Sequence, residues 1–228
     1  MIVNVVIPTF DRIDLIKKTI DSLMNSNYPE IKIWICVDGN PNMIRWIEDY
    51  CPNHDVKILY NKRRRDAVIS YNKLFLAIDN DGAILNATDD LIFYPGTIKT
   101  AVKTLFQMTS DGDGVVGMSQ YQDGHPKGRK FAFCLIGRKF ADRYPNRQIY
   151  CPDYIHFNGD RELGYYAKMA NRFIFQPEAR VVHIRLQDQT TKLGRIMYER
   201  DKKVFHARQA KKILWGLNFG LIADELKI

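Results

Sequence analysis

What most constrains the fold of this 228-residue chain is an alternation of two hydrophobic periods across residues 1–110. The apolar run "IVNVVI" ends at Pro8, and Ile13, Ile16, Ile20 and Leu23 then recur at helical spacing, with Asp11 offering an N-cap. "IKIWICVDG" reads as a second strand that stops at a carboxylate and a glycine, and "VKILY" as a third. Val68, Tyr71, Phe75 and Ile78 mark a second helix. A fourth strand, "GAILNA", then runs into Asp89 and Asp90, with an apolar turn after them. Ile98, Ala101, Val102 and Leu105 form the next helical stripe. Strands alternating with helices require crossover connections, so the pattern predicts an α/β fold with a mainly parallel central sheet and helices on both faces.

The second half is less regular. "GVVGMSQY" and "FAFCLIG" read as strands, "GDRELGYYAKMAN" as a helix, and "RFIF" and "RVVHI" as two short strands. "YQDGHPKGRK" is a surface loop, because apolar patterning resumes on its far side. After His183, "RLQDQTTKLGR" has no apolar periodicity and reads as a loop, with Gln187 to Arg195 expected to be mobile without ligand. A basic amphipathic helix should follow. Between Lys192 and Lys212 eight basic residues face two acidic ones, so much of the net charge of +8 lies there. This suits an anionic acceptor or surface, and the interleaved Val204, Phe205, Ile213, Leu214 and Trp215 suit either a partner helix or this chain's own core. The expected domains are 1–191 as one catalytic unit, divided into halves at 110/111, and 192–228 as a basic helical extension.

Cys36, Cys51, Cys134 and Cys151 are scattered without a C-x-x-C pair, which points to reduced structural thiols. No apolar run is long enough to cross a bilayer, and the N-terminus lacks signal-peptide features. The expectation is a cytoplasmic protein, peripheral at a membrane surface if its acceptor is there.

Ligands of open α/β sheets bind beyond the carboxyl ends of the strands, where Asp38, Asp89 and Asp90 should converge. A single aspartate at such a place is usually a cap or turn residue. Adjacent carboxylates repel when buried, and a divalent cation relieves that repulsion. Neither glycine-loop phosphate motif is present, leaving "NKRRRD", with Arg63, Arg64 and Arg65, as the source of forked donors for phosphate.

Taken in order, "VVIPTFDR", "CVDG", "RRRDAVISYNK", "ILNATDDLIFYPG", "GDRELG" and "PEARVVHI" resemble the family 2 glycosyltransferases of GT-A (Rossmann-like) fold, over residues 2 to 184. The resemblance implies a nucleotide-diphosphate sugar donor, UDP-linked by preference, a divalent cation (Mn2+ or Mg2+), and transfer with inversion. Pro8, Thr9 and Phe10 would wall the nucleobase pocket with Arg12 beside them, and Asp38 would accept a hydrogen bond from the base. Thr88 and Leu91 flank the acidic pair where D-x-D would be completed, so the roles of Asp89 and Asp90 stay open, with Asp90 favoured as ligand and Asp89 assisting. His183 matches a late histidine that completes the metal site. Asp160 matches the general base, with Glu162 in reserve.

Two other classes fit parts of the pattern. A sugar-phosphate nucleotidyltransferase shares the sheet and cation, but usually has a glycine-rich basic loop where this chain has "PTFDRID". A non-catalytic nucleic-acid-binding protein would explain the basic tail and leave the clustered carboxylates unexplained. The acceptor is open among a lipid carrier, a polysaccharide and a nucleic acid, and the C-terminal helix is a candidate for self-association.

Overall fold

A computed structural model describes residues 1–52, 55–128 and 131–216. The expected alternation is present as β1 (Val3–Thr9), α1 (Ile13–Met24), β2 (Ile31–Asp38), α2 (Asn42–Tyr50), β3 (Val56–Asn61), α3 (Asp66–Ala77) and β4 (Ala83–Asn86). It continues through β5 (Leu91–Phe93), α4 (Thr97–Met108), β6 (Val115–Gln122), β7 (His125–Pro126), β8 (Cys134–Ile136) and α5 (Arg138–Ala141). Last come α6 (Gly159–Met169), β9 (Phe173–His183), α7 (Gln189–Ile196) and α8 (Tyr198–Ala210). One sheet takes in every strand, in the order β3-β2-β1-β4-β8-β6-β9-β5, with β7 paired to β6 alone. The β3-β2-β1-β4 half is parallel; β8 runs antiparallel to both neighbours, and β5 antiparallel to β9.

Strand periodicity divides the core between the two faces. Val3, Val5 and Ile7 of β1, with Ile33, Ile35 and Val37 of β2, pack under α1, α2 and α4. Val6, Trp34 and Cys36 face the other way, toward α3, α5, α6 and α8. Pro8 is tolerated in central β1 because the ladder to β4 has already ended at Val6–Asn86 and Ala87 N–H donates to Val6. The missing N–H therefore breaks no pairing.

Several local expectations are corrected. Asp11 does not cap α1: Arg12 is its N-cap residue, and Asp11 accepts from Asn40 Nδ2 at 3.1 Å. The apolar turn after Asp90 is strand β5, formed because Leu91–Phe93 pairs with Val181–His183. "RFIF" and "RVVHI" are one strand. Met118 of β6 pairs with Gln176 and Ser119 with Arg180, so Pro177, Glu178 and Ala179 bulge out and the proline again costs no ladder bond. Most of the segment expected to be a loop is α7, which Asp188 caps by accepting from Thr191 N–H at 2.8 Å.

The expected boundary at 191/192 falls inside α7. Residues of α8 and the turn after it belong to the same core: Phe205 is fully buried, and Val204, Leu214 and Trp215 pack beside it. Four of the five apolar positions of the stripe are thus used internally, while Ile213, Lys202, Lys203, Lys211 and Lys212 stay exposed. Residues 217–228 of the expected extension lie outside the described residues. All four cysteines are free and buried. Among the described residues, no helix is long and apolar enough to cross a membrane.

Candidate active site

A cleft of about 880 Å³ opens at the carboxyl ends of β1, β2 and β4 and is closed on its far side by β9, α6 and α7. Pro8, Thr9, Phe10, Arg12 and Asp38 line one wall, with Asp89 and Asp90 on the floor and Asp160 and His183 opposite. Residues far apart in sequence thus meet where the topology predicts a ligand site.

The acidic pair is tightly engaged. Asp89 accepts from Thr9 Oγ1 at 2.9 Å and Asp90 from Thr88 Oγ1 at 2.6 Å. Arg12 Nη1 lies 3.2 Å from Asp89 Oδ1 and 3.0 Å from Asp90 Oδ2, so both carboxylates converge on one cationic nitrogen. Burial, reinforced by the charge of Asp90, pushes the Asp89 carboxyl up to about 7. Burial acts on Asp90 in the same direction, but His183, Thr88 and Arg12 outweigh it and hold that carboxyl below its ordinary value. The asymmetry has a geometric origin, because the His183 ring presents Nε2 to Asp90 Oδ1 at 3.2 Å.

Arg12 also reaches the other way. Its Nε and Nη2 form a fork onto Asp188 at 2.8 and 2.9 Å, and Nη2 meets Thr191 Oγ1 at 2.9 Å. Burial disfavours the guanidinium charge, yet Asp188, Asp89 and Asp90 raise its affinity for the proton further. The same fork holds the Asp188 carboxyl down at about 2, against the effect of burial. One side chain therefore ties the acidic floor to the start of α7. Neither Asp188 nor Thr191 was recognised from sequence, although "DQTT" is a passable N-cap signature.

Asp38 holds the turn before α3. Its oxygens accept from Asn61 Nδ2 at 3.0 Å and from the backbone N–H groups of Arg65 and Asp66 at 2.8–3.0 Å, capping α3 from a neighbouring strand. Burial still leaves its carboxyl above the ordinary value. Gly39, at φ +93°, makes room for that turn, since a Cβ there would sit 2.9 Å from Arg64 N. The turn separates the three arginines. Arg64 alone enters the cleft, paired with Asp66 at 2.7 Å and lying 5.1 Å over the Phe10 ring. Arg63 and Arg65 instead border a shallow concavity with Lys62 and Lys73, outside the cleft.

Glu162 is corrected as well. It is 2% exposed and points away from the cleft, paired with Arg208 Nη2 at 3.0 Å and accepting from Trp215 N–H at 2.8 Å. Asp160, two residues earlier in the first turn of α6, does line the cleft. Gln120, Phe133 and His156 also line the cleft, as does Tyr71, which the sequence placed only on the apolar stripe of α3.

The carboxylate–imidazole set fits a divalent cation. Arg12 Nη1 already stands between the two carboxylates as a positive centre, and Asp90 and His183 supply an oxygen and a nitrogen that nearly touch. Among the described residues, no three His, Cys, Asp or Glu side chains close around one metal-sized point.

The family model for glycosyl transferase family 2 matches residues 4–173. No curated protein matches the chain. Among solved structures, TarS 1–349 of S. aureus superposes with a TM-score of 0.66 at 14% identity, over 80% of this chain and 60% of that one. The same protein in complex with UDP-GlcNAc gives 0.69 at 14%, over 83% and 60%. The mannosyltransferase PcManGT from Pyrobaculum calidifontis, in complex with GDP-Man and Mn2+, gives 0.64 at 17%, over 85% and 60%. The chain spans about 60% of these solved chains and 37% of the longer TarS structure, and at such identities the likeness is one of fold. With the family model matched over most of its length and its sheet shared with these enzymes, the chain belongs to glycosyl transferase family 2 and has the GT-A fold.

Proposed function

We propose that this protein transfers a sugar from a nucleotide-diphosphate donor, UDP-linked by preference, to an acceptor hydroxyl with inversion, assisted by Mn2+ or Mg2+. The observation that carries this reading is the meeting, in one cleft, of the acidic pair with His183, the Phe10–Arg64 wall and Asp160. Complexes of the structural neighbours with UDP-GlcNAc and with GDP-Man support the donor class.

In this reading the Phe10 face and Pro8 hold the base, and Arg64 lies close enough to offer donors to the ribose or phosphate. Asp38 acts mainly through the turn it pins. Asp90 and His183 hold the cation, with Asp89 beside them; when bound, the cation neutralises the charge that develops on the leaving diphosphate. A cation held there would compete with Arg12 Nη1 for the two carboxylates. Asp160, at the N-terminus of α6, accepts the acceptor's proton as the hydroxyl attacks. α7 covers the cleft and limits loss of donor to water. The exposed Lys202, Lys203, Lys211 and Lys212 favour an anionic acceptor, whether lipid carrier, polysaccharide or nucleic acid. Such an acceptor would bring the protein from the cytoplasm to a charged surface.

The test is a donor screen on the full chain with Mn2+. A bound donor raises the unfolding temperature, since it binds only the folded state. The expected result is stabilisation by UDP-sugars that is lost in Asp90→Ala, and donor binding without turnover in Asp160→Asn, with transfer down by about 10²–10⁴. Stabilisation that is unchanged in Asp90→Ala, or wild-type turnover in Asp160→Asn, would overturn these assignments.

A further inference from the structure

We infer that Gln120 is a positioning residue that sets which nitrogen of His183 carries the proton, and thereby whether His183 can take a metal ion. The inference rests on the cation reading of the site given above. Gln120 projects from β6, is 2% exposed and lines the cleft. Its Nε2 lies 3.1 Å from His183 Nδ1, while its Oε1 is buried without any hydrogen-bond partner. On the other side of the ring, His183 Nε2 lies 3.2 Å from Asp90 Oδ1.

With the Gln120 amide nitrogen toward Nδ1, these contacts fit the tautomer that carries its proton on Nε2. Nε2–H donates to Asp90, Nδ1 accepts from the Gln120 amide, and the amide oxygen is left over. In that state the Nε2 lone pair does not exist and His183 cannot bind a cation at that atom. Ligation needs the other tautomer, with the proton on Nδ1 and an acceptor to receive it. Metal-bound histidines nearly always have such an acceptor. Gln120 carries one: a half-turn of its amide brings the orphaned Oε1 to Nδ1–H. The Phe133 ring, edge to face with His183 at 5.3 Å, restrains the imidazole while the amide turns.

The test measures Mn2+ binding to the full chain in the presence of UDP, by loss of the free-Mn2+ electron paramagnetic resonance signal. Gln120→Leu keeps the bulk without the acceptor, and Gln120→Asn keeps the amide without the reach. Both should weaken Mn2+ binding by about 10–100-fold. Gln120→Glu, which accepts from Nδ1–H as a carboxylate, should restore wild-type affinity or exceed it. A purely structural glutamine would not show that rescue. Should Gln120→Leu fail to unfold cooperatively, Gln120→Asn and Gln120→Glu decide the matter alone. Wild-type affinity in the Asn variant, or an equal loss in the Glu variant, overturns the role of Gln120 and leaves the metal site standing. Absence of Mn2+ binding by the wild-type chain itself overturns the metal reading, and the role of Gln120 with it.

Discussion

Asp201 is the sharpest place to test whether α8 is built into the catalytic unit. The residue is fully buried, and its two oxygens accept the backbone N–H groups of Ile155 at 3.1 and 3.2 Å, His156 at 2.8 Å and Phe157 at 2.8 Å. Those residues lead through Asn158 directly into the turn of α6 that carries Asp160. Hydrogen bonds to a charged group contribute about 1.5–3 kcal/mol each, so the three backbone donors contribute up to about 9 kcal/mol, beside the Arg200 Nη1 contact at 2.7 Å. The donors are only partly buried, and water replaces some of what is lost, which brings the expected cost of Asp201→Ala to about 3–5 kcal/mol. That could exhaust the stability of a domain, so Asp201→Asn is the better variant. It keeps the shape, has one acceptor oxygen, and should cost roughly 2 kcal/mol, lowering the melting temperature by about 4–8 °C for a chain of this size. Urea denaturation gives the free energy, and transfer assays should show kcat falling more than UDP affinity. Lys202→Gln, on the exposed side of the same helix, should stay within about 0.5 kcal/mol of wild type. A cost below about 1 kcal/mol for Asp201→Ala would refute the view that α8 holds this loop.

Two further outcomes follow from the same geometry. In chelator, burial and the neighbouring Asp90 charge raise the Asp89 carboxyl in the folded state, toward about 7, above its unfolded value of about 4, so between those values the native state binds the extra proton. Stability should therefore fall as pH rises from about 4 to 7, by up to about 1.4 kcal/mol per unit, and level off above. Urea midpoints taken across that range should lose this slope in Asp89→Asn; an identical slope in both proteins would place the titration elsewhere. At the second position, a Cβ on Gly194 would lie 2.8 Å from His156 Nε2, so Gly194→Ala should lift α7 from the cleft. UDP affinity should drop several-fold with little change in urea stability, and unchanged affinity would show that α7 does not cover the nucleotide.

The parts of this fold legible in the sequence are those dictated by local periodicity. β1, α1, β2, β3, α3, β4 and α4 each carry their own apolar pattern, and Asp38, Asp89 and Asp90 follow from where those patterns stop. What escaped reading depends on distant partners. β5 has three residues and exists through pairing with β9, while α2 buries only Met43 and Ile47. The buried residue of α7 is Gly194, so no apolar stripe announces the helix. Glu162 and Asp160 look equivalent in "GDRELG", and only the arrival of Arg208 from α8 shows which carboxylate is structural. Likewise "RRR" conceals that the turn held by Asp38 sends one arginine inward and its neighbours outward.

The shared guanidinium of Arg12 has a consequence for how the cleft responds to its ligands. Asp89 and Asp90 at one end, and Asp188 and Thr191 at the other, draw on a single set of donors. A cation bound at the acidic pair competes for one end of that set and so alters the strength of the other. Linkage makes the effect reciprocal: whatever loosens α7 from Arg12 must change cation affinity by the same factor that the cation changes the hold on α7. In the proposed function, metal concentration and the position of α7 would then be two readings of one equilibrium, and a substitution at Asp188, one guanidinium away from Asp90, should shift both together.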